Sequence, residues 1–191
     1  LLQAVRVLKP TALIGVSGKA RVFTQPVLEA MAAINERPVV FSLSNPTSNT
    51  ECSAEEAYRW SQGRAIYASG SPFAPVTHNG KTYTIGQCNN VFVFPGVGLG
   101  IIASGAKEVL PSFFTAAAHA VSQCVQPEAM ARGELLPPVS ELQNVSLKLA
   151  QRITLTFALM ATPVKDGHAG DPFVFRFGPG RPEGACLESF R

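Results

Sequence analysis

Residues 38–47, PVVFSLSNPT, set the reading of the whole chain. Val39 to Leu43 form a short apolar run, started by Pro38 and cut off by the turn sequence Ser44-Asn45-Pro46-Thr47, so the run reads as a buried strand. Upstream, Ala12 to Val16, ALIGV, is a continuous apolar run of the kind buried on both faces of a parallel sheet, and it stops at Ser17-Gly18. Between the two, Thr24 is the expected N-cap of a helix running to about Asn35, with Val27, Met31 and Ile34 on its buried face. Residues 2–8 carry the tail of an earlier helical pattern, which Lys9-Pro10 ends because the residue before proline avoids the α region. Downstream, Ser53-x-x-Glu56 is a capping box that opens a helix through Ala57, Tyr58 and Trp60, with Gly63 as its C′ residue. A third strand follows at Ala65 to Ala68 and ends in Ser69-Gly70-Ser71-Pro72.

Three strands with a helix after each of the first two make a βαβαβ unit, an α/β fold with right-handed crossovers and a parallel sheet. In such a sheet ligands bind beyond the carboxyl ends of the strands, here Ser17-Gly18, Ser44-Asn45 and Ser69-Gly70. All are small or polar, so a ligand can approach the backbone.

The pattern then changes. Val76 to Ile85, centred on Asn79-Gly80, reads as a hairpin with a type I′ turn that returns the chain to Gln87-Cys88-Asn89-Asn90 at the same rim. A carboxamide offers two donors and an acceptor without charge, which suits the carboxylate and hydroxyl of a small hydroxy acid or the amide of a nicotinamide ring. The dipeptide alone fits ordinary turn residues better, and the rest of the chain shifts the balance. Helical segments are expected at about 97–108 and 112–124, and a third from Ser140 with Gln143 as capping partner and Leu142, Val145, Leu149, Ile153 and Thr156 or Phe157 at helical spacing. These close a unit of residues 1–159; residues 160–191, rich in Gly and Pro without period, read as an irregular tail.

Composition excludes several classes. The chain has 191 residues, 46% hydrophobic and 15% charged, enough for one domain with a real core. A net charge of +3 with scattered Lys and Arg argues against nucleic acid or a membrane surface, and no apolar run approaches the roughly 18 residues of a membrane span. Cys52, Cys88, Cys124 and Cys186 form no CxxC pair and read as thiols of a reducing compartment, the cytoplasm. A first residue of Leu1 suggests part of something longer.

Gly98-x-Gly100-x-x-Ala103 fits the G-x-G-x-x-A dinucleotide fingerprint after a strand-like run. No acid follows about 20 residues on, and no second strand completes the roughly 30-residue unit, so close helix packing is the better reading. Asn144-Val145-Ser146 falls inside an expected helix and is a chance sequon. His78, His119 and His168 lack partners at ligand spacing, and no general acid or base can be assigned.

Taken together, LKPTALIGVSG, RPVVFSLSNPTSNTECSAEEAY, GRAIYASGSPFAPV, GQCNNVFVFPGVGLGIIASGA and GELLPPVSELQNVSLKLA resemble the C-terminal part of malic enzyme, over residues 1–157. The CNN motif is closer to bacterial forms, since animal ones usually have Gly in place of Cys88. The resemblance implies a partial Rossmann-type sheet, the second half of a dinucleotide-binding domain, followed by C-terminal helices. It also implies conversion of malate to pyruvate and carbon dioxide with NAD or NADP and a Mg or Mn ion, in a homo-oligomer. By motif, Asn45 of SNPT and Asn90 of CNN would meet substrate and nicotinamide, while Gly15, Val16, Ser17 and Ser44 would lie along the cofactor. The family's catalytic tyrosine and lysine, its metal carboxylates and its main phosphate loop lie upstream of the matching region. The resemblance therefore implies no catalytic residue and no metal ligand here, and an isolated chain that is inactive. Such a half sheet exposes a strand edge and apolar helix surface, so poor solubility or dimerisation is expected. Two alternatives remain: another hydroxy-acid or amino-acid dehydrogenase of the same half-Rossmann plan, and a non-catalytic remnant that partners a full-length subunit.

Overall fold

A computed structural model describes residues 1–161. Helix α1 (Leu2–Leu8) ends where Lys9 adopts the left-handed conformation, φ 46°, just before Pro10. Strand β1 (Ala12–Gly15) is followed by α2 (Gln25–Ile34), whose first turn carries Pro26; Thr24 occupies the N-cap position without a side-chain cap bond. Strand β2 (Val39–Ser42) leads through a 3-10 turn at Thr47–Asn49 to α3 (Ala54–Trp60). The capping box forms as read: Glu56 N–H donates to Ser53 Oγ at 3.1 Å and Ser53 N–H to the Glu56 carboxylate at 2.9 Å. Gly63, φ 76°, closes the helix by donating to Tyr58 O at 2.7 Å, and β3 (Ile66–Ser69) follows.

The three strands run parallel in the order β1-β2-β3. Right-handed crossovers that all step the same way put α2 and α3 on one face of the sheet. That face carries the row Leu13, Val40 and Tyr67, buried against Val5, Val27, Leu28, Met31, Ala57 and Tyr58. The expectation of burial on both faces fails for this reason. Along β1 exposure alternates, and Ile14 on the far face is 59% exposed. Ile34 also departs from expectation, being 37% exposed in the last turn of α2, and Leu28 takes its place in the core.

The hairpin is present, β4 (Val76–His78) against β5 (Lys81–Tyr83), with Asn79 at φ 50° and Gly80 at φ 75° as a type I′ turn requires. Tyr83 pins it to α3 by stacking on Tyr58 with ring centroids 4.0 Å apart and donating to Gly63 O at 3.1 Å. The hairpin delivers a fourth parallel strand absent from the sequence reading, β6 (Gly86–Gln87), which pairs with β3 through Ala68↔Gly86 and Ser69↔Gln87.

The strand-like VFVF run is not extended. It forms a 3-10 turn at Asn90–Phe92 and the start of α4 (Phe94–Ser104), with Pro95 in the first turn. Next come α5 (Pro111–Ser122), a short α6 (Pro127–Ala131) that the sequence reading lacked, and α7 (Leu142–Ala161). Ser140 lies in a 3-10 turn ahead of α7, which shows no side-chain cap bond, so the expected cap is not made. Val145, Leu149 and Ile153 form the buried stripe as expected, in a second core with Phe92, Val97 and Phe113. Helix α7 reaches two residues past position 159, and the rest of the expected tail, with His168 and Cys186, lies outside the described residues. No helix among the described residues is long and apolar enough to cross a membrane.

Candidate functional site

The carboxyl ends of β1, β2, β3 and β6 open on one rim, and a residue absent from the sequence reading organises it. Glu51, in the segment between β2 and α3, is fully buried. One carboxylate oxygen accepts from Ser17 N–H at 3.2 Å, Ser17 Oγ at 3.1 Å and the Ser44 hydroxyl. The other accepts from Ser42 Oγ at 3.2 Å and Ser44 N–H at 3.3 Å. Burial is the largest single influence on this carboxyl and would raise its pKa. The hydrogen bonds from the Ser44 hydroxyl and from the N–H groups of Glu51, Ser17 and Ser44 outweigh it, and the net shift is downward. Glu51 is therefore an anion at neutral pH.

This arrangement explains Gly15. A Cβ there would sit 2.5 Å from the Glu51 carboxyl carbon, so glycine makes room for the carboxylate. Ser44 Oγ, which donates to Glu51, also accepts from Gly18 N–H at 2.8 Å, tying the chain after β1 to the chain after β2. Val16, at 76% exposure, and Gly18, where an added Cβ would meet nothing within 4 Å, face outward.

Asn45 is exposed, and its Oδ1 accepts from the hydroxyl of buried Ser71. That bond fixes the amide with Nδ2 left to donate. Gly70 is required beneath it, because a Cβ would meet Leu43 O at 2.2 Å. Asn89 turns back on the backbone, accepting from Val91 N–H at 3.0 Å as the N-cap of the 3-10 turn, so the turn-residue reading holds for it. Asn90 is exposed on the same rim, beyond β6. Cys88 donates its N–H to Ser69 O at 2.7 Å, and burial pushes its thiol up. Two hollows, of about 640 and 620 Å³, lie at other places, one between α2 and α3 and one beside α7, and none of these rim residues lines them.

Within the Gly98-x-Gly100 motif, Gly100 serves helix packing, as does the preceding Gly96, while Gly98 faces open space. A Cβ on Gly100 would lie 2.8 Å from Ile153 Cβ, and one on Gly96 would lie 2.5 Å from Leu149 Cβ. Among the described residues no three of His, Cys, Asp and Glu converge to hold a metal ion, so these residues do not fit Mg²⁺ or Mn²⁺. The rim of strand ends, with Val16, Ser17 and Gly18 exposed along it, does fit an extended dinucleotide.

The malic enzyme NAD-binding domain family matches this chain over residues 1–157. The chain belongs to that family. Among relatives of the malic enzyme family, the chloroplastic NADP-dependent malic enzyme of Oryza sativa subsp. japonica is 51% identical over 153 residues, 80% of this chain and 24% of that protein. The corresponding chloroplastic enzyme of Solanum lycopersicum is 52% identical over 151 residues, 79% of this chain and 26% of that protein. The NADP-dependent malic enzyme of Vitis vinifera is 51% identical over 153 residues, 80% of this chain and 26% of that protein. All three are plant proteins, where the sequence alone leaned toward bacterial forms. The chain spans about a quarter of the length of these malic enzymes.

Proposed function

We propose that this chain supplies the cofactor- and substrate-facing rim of a malic enzyme, which converts malate to pyruvate and carbon dioxide with reduction of NAD or NADP. The family membership supports the reaction, and one observation supports the site: Asn45 and Asn90 come from distant parts of the chain to the carboxyl ends of one parallel sheet. In this reading Asn45 Nδ2, fixed by Ser71, donates to the malate carboxylate, and Asn90 holds the substrate hydroxyl or the nicotinamide amide. Gly15, Val16, Ser17 and Ser44 form the wall along which the dinucleotide lies. A nicotinamide held along this wall would supply the hydride acceptor for the hydroxyl-bearing carbon of malate. The relatives' names favour NADP. The complete enzyme is read as a homo-oligomer of a reducing compartment, the cytoplasm from the thiols; two of the relatives are named chloroplastic.

The test is malate-dependent reduction of NAD and NADP with Mn²⁺, using the full gene-encoded polypeptide that carries this segment and then its Asn45→Ala and Asn90→Ala variants. Each variant is expected to lose about 10- to 100-fold in kcat/KM for malate, the effect of a buried polar contact left unpaired in the complex. Absence of malate-dependent reduction with either nucleotide overturns the reading and favours a non-catalytic partner.

A further inference from the structure

We propose that Glu51 is a positioning residue for the nucleotide: one buried carboxylate that fixes the gap between the chain leaving β1 and the chain leaving β2. The proposal deepens the function proposed above and rests on it.

The β1–β2 ladder ends with Leu43 N–H donating to Gly15 O at 2.9 Å. Beyond that point the two chains head for different elements, Ser17-Gly18 toward α2 and Ser44-Asn45 toward the 3-10 turn at Thr47–Asn49. Nothing in a parallel ladder sets their spacing there. The bonds that continue past the ladder run to Glu51 from both sides, with Gly18 N–H to Ser44 Oγ closing the loop between them.

The chemistry of the donors requires a carboxylate. A backbone N–H points at each of its two oxygens, Ser17 at one and Ser44 at the other. Neither N–H can reverse its polarity. A glutamine of the same size must put its NH₂ against one of them, whichever way the amide is turned, and that N–H is orphaned. An aspartate is one methylene shorter and cannot span the same gap. The segment bearing Glu51 is itself held to the first loop, since Phe23 N–H donates to Glu51 O at 3.1 Å and Arg21 N–H to Thr50 O at 3.0 Å. A further consequence concerns the serines. The Ser44 hydroxyl donates to Glu51 and accepts from Gly18, and the Ser17 hydroxyl donates to Glu51 and accepts from Lys19 N–H at 3.2 Å. Each hydroxyl proton is used within the chain, on Glu51 or, for Ser17, on Lys19 O at 3.4 Å, so neither serine has a hydroxyl donor left for a nucleotide.

The experiment compares the full gene-encoded polypeptide with its Glu51→Gln, Ser44→Ala and Val40→Ala variants, reading KM for NADP and NAD, kcat and the thermal unfolding midpoint. Val40, buried in the core behind the sheet, supplies a destabilised control away from the rim. Glu51→Gln is expected to raise the nucleotide KM roughly tenfold, the effect of one orphaned buried N–H, with a smaller change in kcat. Val40→Ala is expected to lower the midpoint and leave KM in place. Should Glu51→Gln fail to fold, Ser44→Ala carries the test, since it removes the bridge to Gly18 and keeps the carboxylate; a several-fold rise in nucleotide KM is expected. An active wild type whose Glu51→Gln or Ser44→Ala variant keeps the wild-type nucleotide KM overturns the positioning role and leaves the proposed function standing. A wild type that reduces neither nucleotide overturns both.

Discussion

Glu51 carries a stability signature as well as a geometric one. Its carboxyl is held below the ordinary value of 4.5 in the fold, so its contribution is fully present above that value and is lost as the pH falls through the folded pKa. Acid unfolding followed by circular dichroism should show wild-type stability declining below about pH 4.5, and Glu51→Gln should flatten that decline. An unchanged slope in the variant would mean that other carboxylates drive acid unfolding. The sequence did not expose this residue, because a lone Glu five positions ahead of Glu56 looks like any solvated acid, and burial of a carboxylate is rare enough to be read only from its partners. A faint signal existed. Serines at 17, 42 and 44 sit at the ends of two neighbouring strands, and so many hydroxyl donors at one rim require an acceptor. The placement of Asn45 and Asn90 beyond the strand ends was legible because turn chemistry and strand ends are local features, whereas Ser71 as the partner of Asn45 depends on tertiary placement.

At the scale of elements, α4 separates two uses of glycine that the sequence writes identically. Gly96 and Gly100 face α7 with no room for a methyl, and Gly98 faces open space. Replacing Gly98 by Ala should stabilise the chain by about 0.5–1 kcal/mol through helix propensity alone. Gly100→Ala should destabilise it by about 1–3 kcal/mol through overpacking against Ile153. Thermal unfolding of the two variants should therefore move in opposite directions, and parallel shifts would contradict the packing. The fingerprint-like spacing was correctly read as packing because it lacked a following acid and strand. Its preceding VFVF run was misleading, since a short aromatic and β-branched run carries no period that tells a strand from a 3-10 turn entering a helix. The capping box and the Asn79-Gly80 hairpin were readable because side-chain and backbone preferences act within four residues. Strand β6 was not, because two residues are too few to show alternation.

At the scale of the whole molecule, the open far face of β1 was invisible in the sequence, for a run of consecutive apolar residues does not say which face is packed. Ile14 and Val16 near β1, and Ile102 at 79% exposure on α4, are large apolar side chains turned outward. The two cores share no residue: the sheet packs with α1, α2 and α3, and the other core with α4, α5 and α7. Asn45 follows β2 of the first, and Asn90 opens the 3-10 turn that leads into α4 of the second. Strand β6 joins them, and it pairs with β3 through two residues only. A junction of that kind is expected to open ahead of either core, on a timescale that amide exchange can follow. The Cys88 amide, bonded to Ser69 O, should exchange with solvent deuterium well ahead of the Val40 amide in the middle of the sheet, and equal protection would show that the two cores unfold as one. Local opening at β6 would part the turn that carries Asn45 from the turn that carries Asn90 while each core stays folded, so the spacing of the two amides would rest on a two-residue ladder.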